Sequence, residues 1–202
     1  MHTFTELVDR CSAFTLEALR DANERIINAL QMSAATTLVK TLQMVQLQKA
    51  IFVVGMFSLF EATLQDGLSC SDGFREATNI LDREGEAVLK DRFSDLQLAI
   101  NVLKHGRGRS YDALVAKAGA LRFRVKLPGE AFFCEGDVSE VSTLIEVDDS
   151  FVLSCAEVIR EVSEAIRRRI QSSYHKQHDP LPAAPQRGCL RHRAKLKELL
   201  QR

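Results

Sequence analysis

Asn101 and His105 are the side chains of this sequence best placed to do chemistry. They are four residues apart in a segment whose apolar residues recur at helical spacing, so both lie on one face of a helix, off its apolar stripe. Gly106 follows directly and is expected to end that helix with a positive φ. An imidazole at a helix C-terminus is suited to acid–base work near neutral pH. The alternative is a purely structural last turn, in which Lys and His side chains bond free carbonyl groups.

Basic residues follow this pair closely, and a second basic row lies further along the chain. Lys104, Arg107 and Arg109 flank His105, and such donors hold phosphate oxygens and stabilise developing negative charge. The second row alternates with apolar residues and consists of Arg122, Arg124 and Lys126. It is either a phosphate-binding row or a solvated face that discourages edge pairing.

The segment from Asn101 to Ser110 resembles the short motif of the HEPN superfamily, all-helical proteins of which many are metal-independent ribonucleases. The match is to an Asn-x-x-Lys-His-Gly-x-Gly-x-Ser form of bacterial HEPN-like proteins, through Asn101, Lys104, His105, Gly106, Gly108 and Ser110. The superfamily motif has an Arg directly before the Asn, and this sequence has Ile100 there. A second segment, 51–64, resembles the buried helix of these folds, in which an aromatic residue followed by Phe-Glu recurs.

The resemblance implies two functions, and an unrelated helical bundle remains a third interpretation. In a HEPN-type endoribonuclease, an RNA 2′-hydroxyl would attack its own phosphate while His105 moves a proton. Asn101 would orient the ring or hold a phosphate oxygen, and the site would form across a homodimer. In a non-catalytic or degenerate module, which the missing Arg favours, Asn101, Lys104 and His105 would form a structural cap at a dimer seam. Such a module would bind RNA or a protein partner of a toxin or defence system.

Glu61 is the one charged residue in the otherwise apolar segment 51–64. Buried carboxylates are nearly always paired, so a neighbouring Lys or Arg is expected beside it. The sharper hypothesis gives Glu61 an orienting role, in which its carboxylate fixes the tautomer of the His105 ring.

Apolar periodicity predicts a mainly α protein, an up-and-down helical bundle with a small two-stranded β-ribbon. The predicted helices cover about 5–30, 37–65, 74–81, 84–104 and 151–172. Segment 121–127 alternates between apolar and basic residues and predicts a strand, and segment 143–147 is its expected partner in the ribbon. Residues 1–173 are expected to form the HEPN-like domain, and 174–202 a proline-containing linker and a basic, flexible C-terminal tail.

The composition narrows the function classes. Formal net charge is zero, with 27 acidic and 27 Lys or Arg residues, so any contact with RNA must be local. The five cysteines are scattered without paired C-x-x-C spacing, and no glycine-rich phosphate motif occurs, so neither a metal nor a cofactor is expected. The N-terminus has no secretory pattern, and the apolar run near residues 50–59 is short for a membrane span. We therefore expect a cytoplasmic protein without membrane contact, and the HEPN resemblance implies that it is a homodimer.

Overall fold

The structure is a computed structural model that describes residues 3–33, 35–130 and 141–176. Within these ranges it has six α-helices and a short 3-10 turn at Ala118–Ala120. The helices are α1 (Phe4–Met32), α2 (Thr36–Leu68), α3 (Gly73–Arg83), α4 (Ala87–His105), α5 (Arg109–Val115) and α6 (Asp149–Lys176). The predicted helical bundle is confirmed, whereas the predicted linker and basic tail lie, beyond Lys176, outside the described residues.

The first two helices form a long antiparallel hairpin. The Phe4 and Phe60 rings stack with centroids 6.1 Å apart, and the Ser12 hydroxyl donates to the Met56 sulphur at 3.6 Å. At the other end of the hairpin a small separate core contains residues of α1 and α2 alone, namely Ile26, Leu42 and Val45 with Leu19, Ala22, Leu30 and Leu38 packed on them. The hairpin tip is therefore a two-helix arm with its own apolar contacts.

Aromatic side chains hold the middle of the bundle together. The Phe74 and Phe93 rings meet edge to face at 5.5 Å, and Phe60 contacts both of them at 6.2 Å. The inner side of α6 is buried against the other helices, and Cys155 and Val162 on it are fully enclosed. Interlocking rings of this kind prefer edge-to-face geometry and contribute energy beyond their buried area. This core fixes α4, the helix that carries Asn101 and His105.

Gly73 begins α3 at its closest approach to α2. A Cβ atom at this position would lie 2.8 Å from the Glu61 carbonyl oxygen and 2.8 Å from the Leu64 Cβ. Neither atom moves without a backbone shift, so we expect Gly73→Ala to lower the free energy of unfolding by about 1–3 kcal/mol in urea titrations. Gly119→Ala is the matched control, because a Cβ there meets nothing within 4 Å. Equal stability of the two variants would contradict the close approach.

The predicted two-stranded β-ribbon is wrong. In the described ranges the two segments form one isolated antiparallel bridge, between Val125 and Ile145. Alternate N–H groups of a strand face its partner, and here Lys126 donates to the Leu144 carbonyl at 2.9 Å. The next group in that series belongs to Pro128, which has no N–H, so the pairing cannot continue past this point.

Helix α2 is not enclosed by the bundle as its apolar sequence predicts. It packs against α1, α3, α4 and α6 on one side, while Ile51 and Leu59 on the other side are 55% and 63% exposed. An 18-residue window of α2 has a mean hydropathy of 1.4, and 33% of that window is buried. By length and composition alone α2 could cross a membrane, a test that core helices of soluble proteins also pass.

Candidate functional site

Helix α4 presents Asn101 and His105 to solvent. Both side chains are exposed, and Gln97, one turn earlier, has a buried side-chain amide nitrogen without a partner in the described part of the chain. The helix ends at His105 because Gly106 follows with a φ of 74°, a value that favours glycine. The Gly106 N–H still donates to the Val102 carbonyl at 2.8 Å. The imidazole is thus held at an open helix end.

Ile100 points the opposite way, into the main core. It is 4% exposed and belongs to the same buried cluster as Phe93 and Leu96. This is the position at which the HEPN motif has its Arg. A guanidinium on this stripe of α4 would lie among apolar side chains rather than beside His105. The chain therefore has no motif cation at this point of α4.

Three cations around the end of α4 lack acidic partners. Lys104, Arg107 and Arg109 are exposed and form no ion pair with any described residue. Most other cations of the described ranges are paired; Arg92, for example, contacts Glu157 at 2.6 Å and Glu161 at 2.8 Å. Positive charge without an acidic partner is therefore concentrated beside His105, and this charge attracts an anionic ligand.

Tyr111, near the start of α5, anchors the loop that carries Arg107. It is 4% exposed, and its hydroxyl donates to the backbone carbonyl of Lys126 at 2.6 Å. The Arg107 guanidinium lies over the Tyr111 ring, 6.0 Å from its centroid, which is cation–π geometry. The sequence prediction missed both Tyr111 and the short helix α5, and the only signal was an aromatic residue four positions after Arg107. The loop is held in place by a buried ring.

The second basic row does not join this site. Arg124 forms ion pairs with Glu130 and with Glu146, the latter at 3.2 Å, and these carboxylates raise the pKa of the guanidinium. Exposed Arg122 and Arg124 line a cavity together with Glu146, Asp148 and Ser150, without any residue of α4 or α5.

Lys126 corrects the expectation of three cations on one open face, because it is 3% exposed. The alternation breaks after Val125, which is also buried, so Lys126 leaves the face that Arg122 and Arg124 share. Of the row, two cations are therefore exposed, and the charge of Arg124 is already neutralised by carboxylates.

The structure does not bring Glu61 to His105. Glu61 is half-buried on α2 and has no ion pair or side-chain hydrogen bond with the described residues. Its neighbour Phe60 contacts Phe93, which precedes His105 by twelve residues of α4, on the order of 18 Å along a helix. An orienting carboxylate for His105 is not supplied by Glu61 of the same chain.

Cysteines and acidic residues of the described ranges do not gather into a metal site. No group of three or more His, Cys, Asp or Glu side chains is placed to hold an ion there. Cys11 is exposed and Cys70 half-buried, whereas burial of Cys155 raises the pKa of its thiol. Cys134 and Cys189 lie outside the residues that the structure describes.

Comparisons of the chain with protein-family models, with curated proteins and with solved structures found no match.

Proposed function

We propose that this chain is a non-catalytic HEPN-like module that binds the phosphate backbone of RNA at the end of α4. The observation that carries the proposal is the cluster of exposed cations without ion-pair partners among the described residues, Lys104, Arg107 and Arg109, around an exposed His105. The motif resemblance supplies RNA as the anion. Because net charge is zero, this local cluster is what attracts the polyanion.

Each cation of the cluster contacts a phosphate oxygen and displaces a bound counterion, so binding weakens as salt is added. Arg107 is the best-positioned of the three, since the Tyr111 ring restricts its guanidinium. Contacts of this kind position RNA without reading its sequence, because they touch no base edge. The module therefore binds single-stranded and structured RNA with little sequence preference.

Absence of cleavage follows from Ile100. Arg is a planar clamp that holds two phosphate oxygens at once, and charge stabilisation of the transition state is the largest catalytic contribution in sites of this type. Lys104 lies in the last turn of α4, Arg107 in the loop after it and Arg109 at the start of α5. Ile100 is buried one turn before Lys104. His105 then donates a hydrogen bond to bound RNA instead of driving a reaction.

The module acts as a homodimer, which places two basic loops on one RNA. Two linked contacts raise the overall affinity without any new interaction within a loop. The same resemblance favours a toxin or defence protein as the protein partner of this module. Asn101 and His105, both exposed and without hydrogen-bonding partners in the described ranges, are open to such a ligand.

A metal-independent endoribonuclease is the second candidate, and one observation favours it. Asn101 and His105 are exposed on one face with unpaired cations beside them, which is the arrangement that proton transfer to a bound phosphate requires. In that case a loop cation would stabilise the transition state in place of the missing Arg.

Incubation of purified protein with structured and single-stranded RNA in chelator separates the two candidates. We expect neither the parent protein nor His105→Ala to cut RNA, and we expect their RNA affinities to agree within about threefold, because a neutral hydrogen bond contributes little. Cleavage by the parent that leaves cyclic phosphate ends, and that His105→Ala abolishes, would contradict the proposal and establish the ribonuclease.

A further inference from the structure

The side of α2 that faces away from the other helices carries a regular line of exposed residues. The line, which we call the α2 seam, runs at alternating spacings of four and three and consists of Met44, Gln48, Ile51, Gly55, Ser58 and Ala62, all exposed. This is the 3.5-residue repeat with which one helix packs along another. Leu47 and Leu59, 43% and 63% exposed, flank the seam and add apolar surface.

The two hydroxyl groups on this side of α2 already donate to carbonyl groups of the helix, so burying them costs little. The Ser58 hydroxyl donates to the Val54 carbonyl at 2.9 Å, and the Thr63 hydroxyl donates to the Leu59 carbonyl at 2.8 Å. The only charged residue between positions 41 and 60 is Lys49, which is turned away to Asp149 at 2.8 Å. The seam is uncharged over about five turns, and Gln48 and Ser58 are its only polar side chains.

Gly55 has no explanation within the single chain. A glycine inside a helix costs about 1 kcal/mol relative to alanine, so its presence calls for a close neighbour. A Cβ at Gly55 would meet nothing within 4 Å. The neighbour that needs this space is therefore outside the described chain.

We propose that the neighbour is a second copy of this chain, packed antiparallel along the α2 seam about a two-fold axis at position 53. In that register Ile51 of one copy faces Gly55 of the other, because the two positions are equidistant from 53. Met44 likewise faces Ala62. Each large residue thus meets a small one, which is the self-complementary pairing that a two-fold interface requires.

The charges at the ends of the seam select the antiparallel arrangement. Lys40 and Asp66 are exposed, form no ion pair in the described ranges, and lie thirteen residues before and after position 53. Antiparallel packing brings Lys40 of one copy to the same end as Asp66 of the other, whereas parallel packing would group like charges. Complementary charges favour the first register.

The surroundings of the seam argue against a lipid partner. The seam is about 27 Å long, and exposed Leu7, Cys11 and Phe14 add apolar surface on α1, which packs against α2. Exposed Glu17 and Asp21 on α1 repel anionic headgroups.

This inference deepens the homodimer part of the proposed function by naming its interface, and it does not depend on RNA binding. Sedimentation of the full chain without RNA tests it. We expect a dimer for the parent, and for Gly55→Glu a dissociation constant at least about 100-fold higher, because two carboxylates would be buried without partners. Val88→Glu is the matched control. It places the same glutamate at another exposed position, Val88, which is 69% exposed but lies on α4, and we expect this variant to stay dimeric.

Two further variants keep the test decisive if Gly55→Glu folds poorly. Gly55→Ala fits the free chain and favours the helix, so it raises the thermal midpoint of the monomer while weakening the dimer at least tenfold. Exchanging Lys40→Glu and Asp66→Lys together restores the dimerisation that either change alone weakens. If the parent is a dimer and neither Gly55 variant changes its dissociation constant, this interface would be overturned and the homodimer would remain. A parent chain that stays monomeric would overturn both the interface and the homodimer, whether or not it binds anionic vesicles in a flotation assay. The proposal of RNA binding would not be affected.

Discussion

Replacing Ile100 with arginine is expected to destabilise the protein severely rather than to restore a ribonuclease. Ile100 is 4% exposed in the main core, so the new guanidinium would be buried without a carboxylate to pair with. We expect the free energy of unfolding to fall by about 3–5 kcal/mol, much of the stability of an ordinary domain. Urea titration followed by circular dichroism measures the loss.

Asn101→Arg is the matched control, since it places the same side chain one position later, where the residue is exposed. We expect its stability to stay within about 0.5 kcal/mol of the parent. An Ile100→Arg protein that is as stable as Asn101→Arg and that cuts RNA would show that position 100 reaches the His105 surface. The structural reason for a non-catalytic module would then be lost.

Removal of the three unpaired cations is expected to produce the largest loss of RNA binding. The triple change Lys104→Ala, Arg107→Ala and Arg109→Ala should weaken binding about 10- to 100-fold at low salt. Because binding then displaces three fewer counterions, the plot of log affinity against log salt concentration should be less steep. The magnitude of its negative slope should be smaller by about 2. Fluorescence anisotropy with labelled single-stranded RNA at several salt concentrations gives both quantities.

A control with the same loss of charge uses three other cations that already have acidic partners. Arg83, Arg160 and Arg168 pair with carboxylates at 3.3, 3.4 and 2.9 Å, and their joint replacement by alanine removes three charges elsewhere. We expect this variant to bind RNA nearly as the parent does. If both triple variants lose the same affinity, general charge rather than the α4 loop would explain the binding.

The end of α4 is where the sequence predicts the structure best. A continuous 3.6-residue stripe through Phe93, Leu96 and Ile100 fixes the buried face, and the same spacing leaves Asn101 and His105 outside. Both signals are local, because a glycine after the last turn is enough to end a helix. The same stripe also predicts the burial of Ile100.

Features that depend on distant contacts were not predictable from local patterns. The ribbon expected at 121–127 and 143–147 reduces to one bridge between Val125 and Ile145, and alternation within a segment does not indicate how many residues pair with a distant one. The apolar sequence of α2 indicates burial but not on how many sides, and its neighbours cover one side only. Likewise the position of the Arg107 guanidinium depends on the buried Tyr111 ring, whose hydroxyl donates to the backbone carbonyl of Lys126.

The most direct test of an RNA-binding module without catalysis is one titration of end-labelled single-stranded RNA with the full chain in chelator. Each sample is read for both bound fraction and RNA length. The account predicts saturable, salt-sensitive binding with the RNA intact at every protein concentration. RNA shortened in proportion to the bound fraction, or no binding at low salt, would contradict it.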